Sequence, residues 1–81
     1  MHYLYVIQSP CGRRVYVGQT SDLRRRMSEH QAMVKHRGWR LVYYEAYRES
    51  ADAVRRERRL KHHGAGWREL KKRLMHSLKM I

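Results

Sequence analysis

The stretch "VYVGQTSDLRRRMSEH", residues 15–30, joins the end of a strand-like segment to a polar turn and a basic helical pattern. Thr20 or Ser21 can cap the N-terminus of a helix, and Asp22 suits the positive end of the helix dipole. This order predicts a helix that begins after the turn and runs to about Val34. The chain therefore passes from a strand to a helix within this one stretch.

One face of the predicted helix mixes apolar and basic residues. Its members are Leu23, Arg26, Met27, His30 and Val34. They follow the spacing i, i+3, i+4, i+7 and i+11, which places them on one side of an α-helix. A plain amphipathic helix would carry leucine where Arg26 and His30 stand. We therefore expect this face to border a polar cleft as well as the core.

The residues before this helix have the composition of a β-hairpin. Residues 2–9, "HYLYVIQS", and residues 13–19, "RRVYVGQ", are rich in aromatic and β-branched side chains. The Pro and Gly of the intervening "SPCG" stand where a type I turn places them. With residues 9–12 as the loop, the predicted register pairs Gln8 with Arg13, Tyr5 with Tyr16, and Tyr3 with Gly18. Two tyrosines are then expected to meet on one face of the hairpin.

Downstream, the pattern predicts one more strand and two more helices. Residues 39–47, "WRLVYYEAY", alternate large apolar with polar positions, which is typical of a strand. A second helix is predicted from Ser50, with Asp52 in its first turn, until Gly64 ends it. A third helix is predicted from about Gly66, with an apolar side formed by Trp67, Leu70, Leu74, Leu78 and Ile81. The predicted element order is ββαβαα.

The composition is strongly basic: 19 Lys and Arg stand against 7 Asp and Glu, for a net charge of +12. Such a charge repels itself in a compact fold, so we expect a polyanionic partner, nucleic acid ahead of a membrane surface. The single cysteine, Cys11, excludes an intramolecular disulfide, and no Cys or His cluster has the spacing of a zinc site. No apolar run approaches the ~18 residues that cross a bilayer. We expect one soluble, cytoplasmic domain over residues 1–81, without a membrane partner.

The second predicted helix carries one acid past its first turn, Glu57, and this acid falls on the apolar side. Ala53, Val54 and Leu60 define that side, and Glu57 lies at i+4, i+3 and i−3 from them respectively. Burying a bare carboxylate is costly, so such a group is paired with a base, bound to a cation or protonated. A structural salt bridge to a neighbouring arginine or to Lys61 is the alternative to a functional role.

Five features in order along the chain resemble the GIY-YIG nuclease family: "YLY" at 3–5, "YVG" at 16–18, Arg26, His30, and Glu57 within "RRERRLK". The resemblance covers nearly the whole chain. It implies a small α+β domain, with a three-stranded antiparallel sheet flanked by helices, and a metal-dependent endonuclease activity on DNA. The chain departs from the family pattern in two ways. Tyr3 and Leu4 stand where glycine and isoleucine are usual, and the sequence contains no asparagine.

The resemblance implies a set of catalytic residues: Tyr5, Tyr16, Arg26, His30 and Glu57. Glu57 would hold one divalent ion, Mg²⁺ or Mn²⁺, through oxygen, which is the ligand atom these hard cations prefer. Arg26 would bind the scissile phosphate, because its planar guanidinium matches two phosphate oxygens at once. Tyr5, Tyr16 or His30 would act as the general base, and the resemblance does not choose among them.

A further group of basic residues is expected on the surface, where it would contact DNA phosphates without reading bases. Its members are Arg24, Arg25, Arg55, Arg56, Arg58, Arg59 and Lys61. Sequence specificity is therefore expected to be weak or absent, and a role in DNA repair or recombination is compatible with this. Two other functions stay open. The first is a nucleic-acid-binding module with little or no cleavage, and the second is an accessory subunit that is active only in a complex.

Overall fold

A computed structural model describes residues 1–62 and 64–78 of the chain. The elements follow the predicted order ββαβαα, with a short 3-10 turn at Val34–His36 between α1 and β3. Their bounds are β1 His2–Gln8, β2 Val15–Thr20, α1 Leu23–Ala32, β3 Arg40–Tyr47, α2 Ser50–His62 and α3 Gly64–Arg73. None of the helices in this described part is both long and apolar enough to cross a bilayer.

The three strands form one antiparallel sheet in the order β2-β1-β3, so β1 lies in the centre. Four consecutive residues of β1, 4–7, are almost completely buried, which requires cover on both faces of the sheet because successive side chains alternate. On one face, Leu4 and Val6 pack into a core with α2 and α3. The members of that core from the helices and the segment after α3 are Leu60, Leu70 and Leu74. On the other face, Tyr5 points towards α1.

The hairpin register differs from the predicted one by two residues. Tyr5 lies opposite Gly18, and Ile7 lies opposite Tyr16. The predicted turn is present, since the Gly12 N–H donates to the Ser9 carbonyl at 2.9 Å, and Gly12 has a φ of 82°. The strands pair only beyond Arg14, so the loop holds two more residues than predicted. A shift of two preserves the side-chain alternation, and for that reason Tyr5 and Tyr16 still share a face.

Helix α1 begins directly after the predicted turn, but its cap is Asp22 instead of Thr20 or Ser21, and the helix ends earlier than predicted. Asp22 is its N-cap, and the Asp22 carboxylate accepts a hydrogen bond from the Arg25 N–H at 3.0 Å. Met33 takes an extended conformation, with ψ at 129°, which ends the helix. The predicted place of Val34 on the inward face is therefore wrong, and this side chain is 85% exposed.

The third helix begins at Gly64 instead of Gly66 and ends at Arg73, so Leu74 and Leu78 lie beyond the helix on which they were expected. Leu70 and Leu74 are nevertheless buried, and Trp67 and Leu78 pack partly buried against the same core. The predicted contribution of Ile81 lies outside the described residues.

Candidate active site

The hydroxyl of Tyr5 is the meeting point of the hairpin and α1. Tyr5 is fully buried, and its Oη lies 2.7 Å from His30 Nε2. The Arg26 Nε–H donates to the same Oη at 3.2 Å. Arg26 and His30 are one helical turn apart, so both side chains reach the tyrosine from the same side of α1. The predicted inward face of α1 therefore borders a polar site.

Gly18 provides the space in which the Tyr5 ring lies. A Cβ added at Gly18 would lie 2.6 Å from Tyr5 Oη, 2.7 Å from Tyr5 Cζ and 2.9 Å from Tyr16 Cε1. All three distances are shorter than real Cβ contacts, so a side chain at this position would displace one tyrosine or both. The Tyr16 ring lies tilted beside that of Tyr5, with ring centroids 6.3 Å apart.

A second histidine, His36, completes this polar cluster and was not predicted from the sequence. His36 Nδ1 lies 2.8 Å from His30 Nδ1, and both rings are buried, with 5% and 1% of their surface exposed. The His36 ring also contacts the rings of Tyr16 and Trp39, with centroid distances of 5.0 and 4.7 Å. His36 belongs to the 3-10 turn after α1, where no helical or strand period identifies inward positions.

The protonation of this cluster follows from burial and from the charge of Arg26. Burial lowers the pKa of His30, and the nearby Arg26 charge lowers it further, so the ring is neutral at pH 7. Burial also lowers the pKa of His36. Burial raises the pKa of the Tyr5 phenol, Arg26 opposes this through its hydrogen bond and charge, and the charges of Tyr16 and Glu57 add to the rise. Tyr5 is therefore a phenol, not a phenolate, at neutral pH.

Glu57 of α2 lies at the edge of the same cluster. Its side chain is 21% exposed, and its Oε2 lies 3.5 Å from the Lys61 ammonium nitrogen. The same nitrogen lies 5.1 Å from the centroid of the Tyr16 ring, so Lys61 contacts both Glu57 and Tyr16. The Glu57 charge adds to the rise in the pKa of the Tyr5 phenol, for which burial is the first cause. The salt bridge to Lys61 that the sequence allowed is present.

A family model for the GIY-YIG catalytic domain matches residues 1–70. The chain belongs to the GIY-YIG family. Searches of curated proteins and of solved structures give no significant match. The matched region contains all five residues of the predicted catalytic set. GIY-YIG nucleases act on nucleic acid and are generally dependent on a divalent metal.

Two carboxylates lie beside this cluster: Glu29, which pairs with Arg26, and Glu57, which pairs with Lys61. Within the described residues, no group of three or more His, Cys, Asp or Glu side chains could together hold a metal. Mg²⁺ commonly takes one or two protein carboxylates and fills its other positions with water and phosphate oxygens. Glu57 fits such a site, because it is partly exposed and its ion pair with Lys61 is long. The ligand set is therefore compatible with one hard divalent ion.

Most of the predicted basic surface of this GIY-YIG domain is exposed. The exposed members are Arg24, Arg25, Arg55, Arg58, Arg59 and Lys61. Arg56 is less exposed than expected: its side chain is 25% exposed, and its Nε donates to both Glu45 carboxylate oxygens, at 3.0 and 3.1 Å. Glu45 also accepts hydrogen bonds from the hydroxyls of Tyr43 and Tyr47. Arg56 therefore belongs to a structural cluster under α2.

Proposed function

We propose that this GIY-YIG domain is an endonuclease that hydrolyses DNA phosphodiester bonds with one divalent ion, Mg²⁺ or Mn²⁺. The observation that carries the proposal is the position of Tyr5 Oη between Arg26 Nε and His30 Nε2. A buried phenol held by a fixed cation and a neutral imidazole is suited to proton transfer beside a bound anion. Weak or absent sequence specificity, a role in DNA repair or recombination, and a cytoplasmic location are part of the same proposal.

Arg26 is the proposed ligand of the scissile phosphate. Its side chain is 30% exposed, and its described hydrogen bonds use Nε towards Tyr5 and Nη1 towards Glu29, at 3.2 and 3.0 Å. A guanidinium has five N–H donors, so others are available for phosphate oxygens. The hydrogen bonds to Tyr5 and Glu29 raise the Arg26 pKa, and the group keeps its charge at any working pH. That fixed charge would stabilise the negative charge that builds on the phosphoryl group.

His30 is the proposed general base, acting through Tyr5. The raised pKa of the Tyr5 phenol, caused first by burial, argues against a standing phenolate as the base. The lowered pKa of His30, also caused first by burial, keeps the ring neutral and able to accept a proton. With His30 Nε2 at 2.7 Å from the buried Tyr5 Oη, the phenol can pass its proton to His30 and take one from a water, provided that substrate binding brings this water to the phenol oxygen. Tyr16 would position this pair, since its ring contacts that of His30 at 5.3 Å.

Glu57 is the proposed metal ligand. A divalent ion at this carboxylate would supply positive charge to the phosphate and to the departing 3′ oxygen. Lys61, which lies on the Glu57 carboxylate, is exposed enough to turn towards a DNA phosphate instead. The exposed arginines of α1 and α2 would hold the DNA backbone. If about five phosphates are engaged, the logarithm of DNA affinity should fall with the logarithm of salt concentration at a slope of roughly −4 to −5.

The test compares wild-type protein with Glu57→Gln and Arg26→Ala on supercoiled plasmid and on flap, junction and single-stranded DNA. Each reaction is run with Mg²⁺, with Mn²⁺ and with EDTA. Glu69→Gln is the matched control, because Glu69 is a 74% exposed helical glutamate that also pairs with a lysine. We expect metal-dependent cleavage by wild type and by the control, and loss of cleavage with retained DNA binding in Glu57→Gln.

Other outcomes identify the alternatives. Salt-sensitive DNA binding without cleavage at any metal concentration would indicate a binding module. Cleavage that appears only when a partner protein is added would indicate an accessory subunit. Equal cleavage by all the variants would indicate a contaminating nuclease and would contradict the assignment of Glu57 and Arg26.

A further inference from the structure

We propose that His36 is a positioning residue, which fixes the proton of His30 on Nδ1 and so keeps His30 Nε2 free to accept the Tyr5 proton. This inference rests on the proposed function, in which His30 is the base. The observation behind it is the 2.8 Å contact between the two Nδ1 atoms in a buried environment.

The direction of each hydrogen bond in the cluster follows from Tyr5. A guanidinium only donates, so the Arg26 Nε–H must point at Tyr5 Oη. Tyr5 is 0% exposed, so its own O–H must find an acceptor inside the protein. Among the described residues, His30 Nε2 is the one partner of Tyr5 Oη able to accept, and it must therefore lack a proton. A neutral His30 then carries its proton on Nδ1.

His36 is the acceptor that this arrangement requires. The His30 Nδ1–H would be a buried, unpaired donor without a partner, which is costly. His36 Nδ1, at 2.8 Å, is placed to accept it, which puts the His36 proton on Nε2. The reverse direction would place a proton on His30 Nε2 and leave the buried Tyr5 O–H without an acceptor. The four side chains therefore form one directed series of hydrogen bonds, from Arg26 through Tyr5 and His30 to His36.

The surroundings of His36 hold its ring in this orientation. The ring lies between the aromatic rings of Tyr16 and Trp39, with centroids at 5.0 and 4.7 Å. The Trp39 N–H donates to the His36 carbonyl at 3.1 Å, which closes the turn that carries the histidine. A base that is oriented by a third group in this way follows the general logic of catalytic triads. His36 itself touches neither the phosphate nor the water in this proposal.

The first test reads the proton positions without DNA. Two-dimensional ¹⁵N–¹H NMR of the histidine rings distinguishes the Nδ1–H from the Nε2–H tautomer. We expect His30 as the Nδ1–H tautomer and His36 as the Nε2–H tautomer in the wild-type protein. In His36→Phe, which keeps a flat ring but removes the acceptor, the His30 Nδ1–H loses its partner, so the Nε2–H tautomer of His30 should become populated. His36→Asn should preserve the wild-type tautomer of His30, because the asparagine carbonyl oxygen can replace Nδ1.

The second test measures cleavage by the same variants. We expect kcat to fall by up to about 100-fold in His36→Phe, since the fraction of His30 with the wrong tautomer loses the contribution of a general base, which is 10²-fold or more, while KM changes little. His36→Asn should recover at least about tenfold of that loss. His76→Phe is the control, because His76 is an exposed histidine far along the chain. Thermal unfolding of each variant verifies that it is folded.

The outcomes separate this inference from the proposed function. A wild-type His30 with its proton on Nε2 would overturn the inference even if the protein cleaves DNA. Equal kcat in His36→Phe and wild type would also overturn it. The expected tautomers in a protein that cleaves no DNA would support the hydrogen-bond assignment and contradict the endonuclease.

Discussion

Gly18→Ala should disturb the site through a single methyl group. The Gly18 backbone is not in the left-handed region, which among the described glycines holds only Gly12 and Gly38, so alanine is compatible with its conformation. The substitution should therefore act only through the contacts of the new methyl group with the tyrosines. The new Cβ would lie 2.6 Å from Tyr5 Oη, whereas ordinary contacts begin at about 3.4 Å. The phenol oxygen or the strand must therefore move by about 0.8 Å.

That displacement is large enough to break hydrogen bonds of the Tyr5 hydroxyl. Tyr5 Oη is held at 2.7 Å from His30 Nε2 and 3.2 Å from Arg26 Nε, and a hydrogen bond is lost beyond about 3.5 Å. A misplacement of about 1 Å in a catalytic group costs about 100-fold in rate. Overpacking a core costs about 1–3 kcal/mol, and each kcal/mol lowers the melting temperature of a domain of this size by about 4–8 °C. We expect both effects in Gly18→Ala.

The assay pairs plasmid nicking in Mg²⁺ with thermal unfolding, and Gly64→Ala is the matched control. A Cβ at Gly64 would meet nothing closer than 3.9 Å, the flexible end of Arg68. Replacing this helical glycine should cost no activity and should stabilise the protein by at most about 1 kcal/mol. If Gly18→Ala nicks and unfolds like wild type, the packing of Tyr5 across Gly18 is wrong.

Three further predictions follow from other contacts. Arg26→Lys should reduce nicking at least tenfold, because an ammonium cannot hold Tyr5 and a phosphate at once and a hydrogen bond to a charged group contributes about 1.5–3 kcal/mol. DNA binding, measured by gel shift, should change little. Asp22→Ala removes the cap of α1 and should destabilise the protein by about 1 kcal/mol in urea unfolding, and an unchanged midpoint would contradict the cap. Burial alone would raise the Glu45 pKa, but the hydrogen bonds that Glu45 accepts from Tyr43, Tyr47 and Arg56 outweigh burial, and the pKa is lowered. The ionised Glu45 therefore stabilises the fold at neutral pH, and this stabilisation is lost as the pH falls below 4.5. In Glu45→Gln the free energy of unfolding should depend less on pH in that acidic range, and equal dependence would contradict the pairing.

The sequence predicts the parts of the site that repeat with a regular period. Arg26 and His30 share a helical face with Leu23 and Met27, and this spacing alone predicts that they face inward. The predicted hairpin places Tyr5 and Tyr16 on a common face even though its register is wrong. An error of two residues leaves the alternation of side chains along a strand unchanged. An error of one residue would have moved one tyrosine to the opposite face of the sheet.

The sequence does not predict features that depend on pairing across the fold. Arg13 and Arg14 belong to the hairpin loop, which the Ser9 N–H closes by donating to the Arg14 carbonyl. Arg56 directly follows the exposed Arg55 in the sequence, yet it is held by Glu45 from another element. Arg56 lies three residues after Ala53 and four before Leu60, so helical spacing places it on the apolar side of α2. The spacing does not indicate that Glu45 is its partner.

The burial of His36 is a structural feature that could be inferred from the sequence by a further step. It lies between Lys35 and Arg37 in a polar stretch, so its composition indicates a solvent-exposed loop, and yet it is buried. An inward histidine such as His30, however, has two ring nitrogens, and burial requires a partner for each. Tyr5 satisfies one nitrogen, so a second polar residue must approach from elsewhere. The connection that follows α1 directly is the nearest source of such a residue, and His36 is the residue in it whose ring nitrogen can accept the His30 proton.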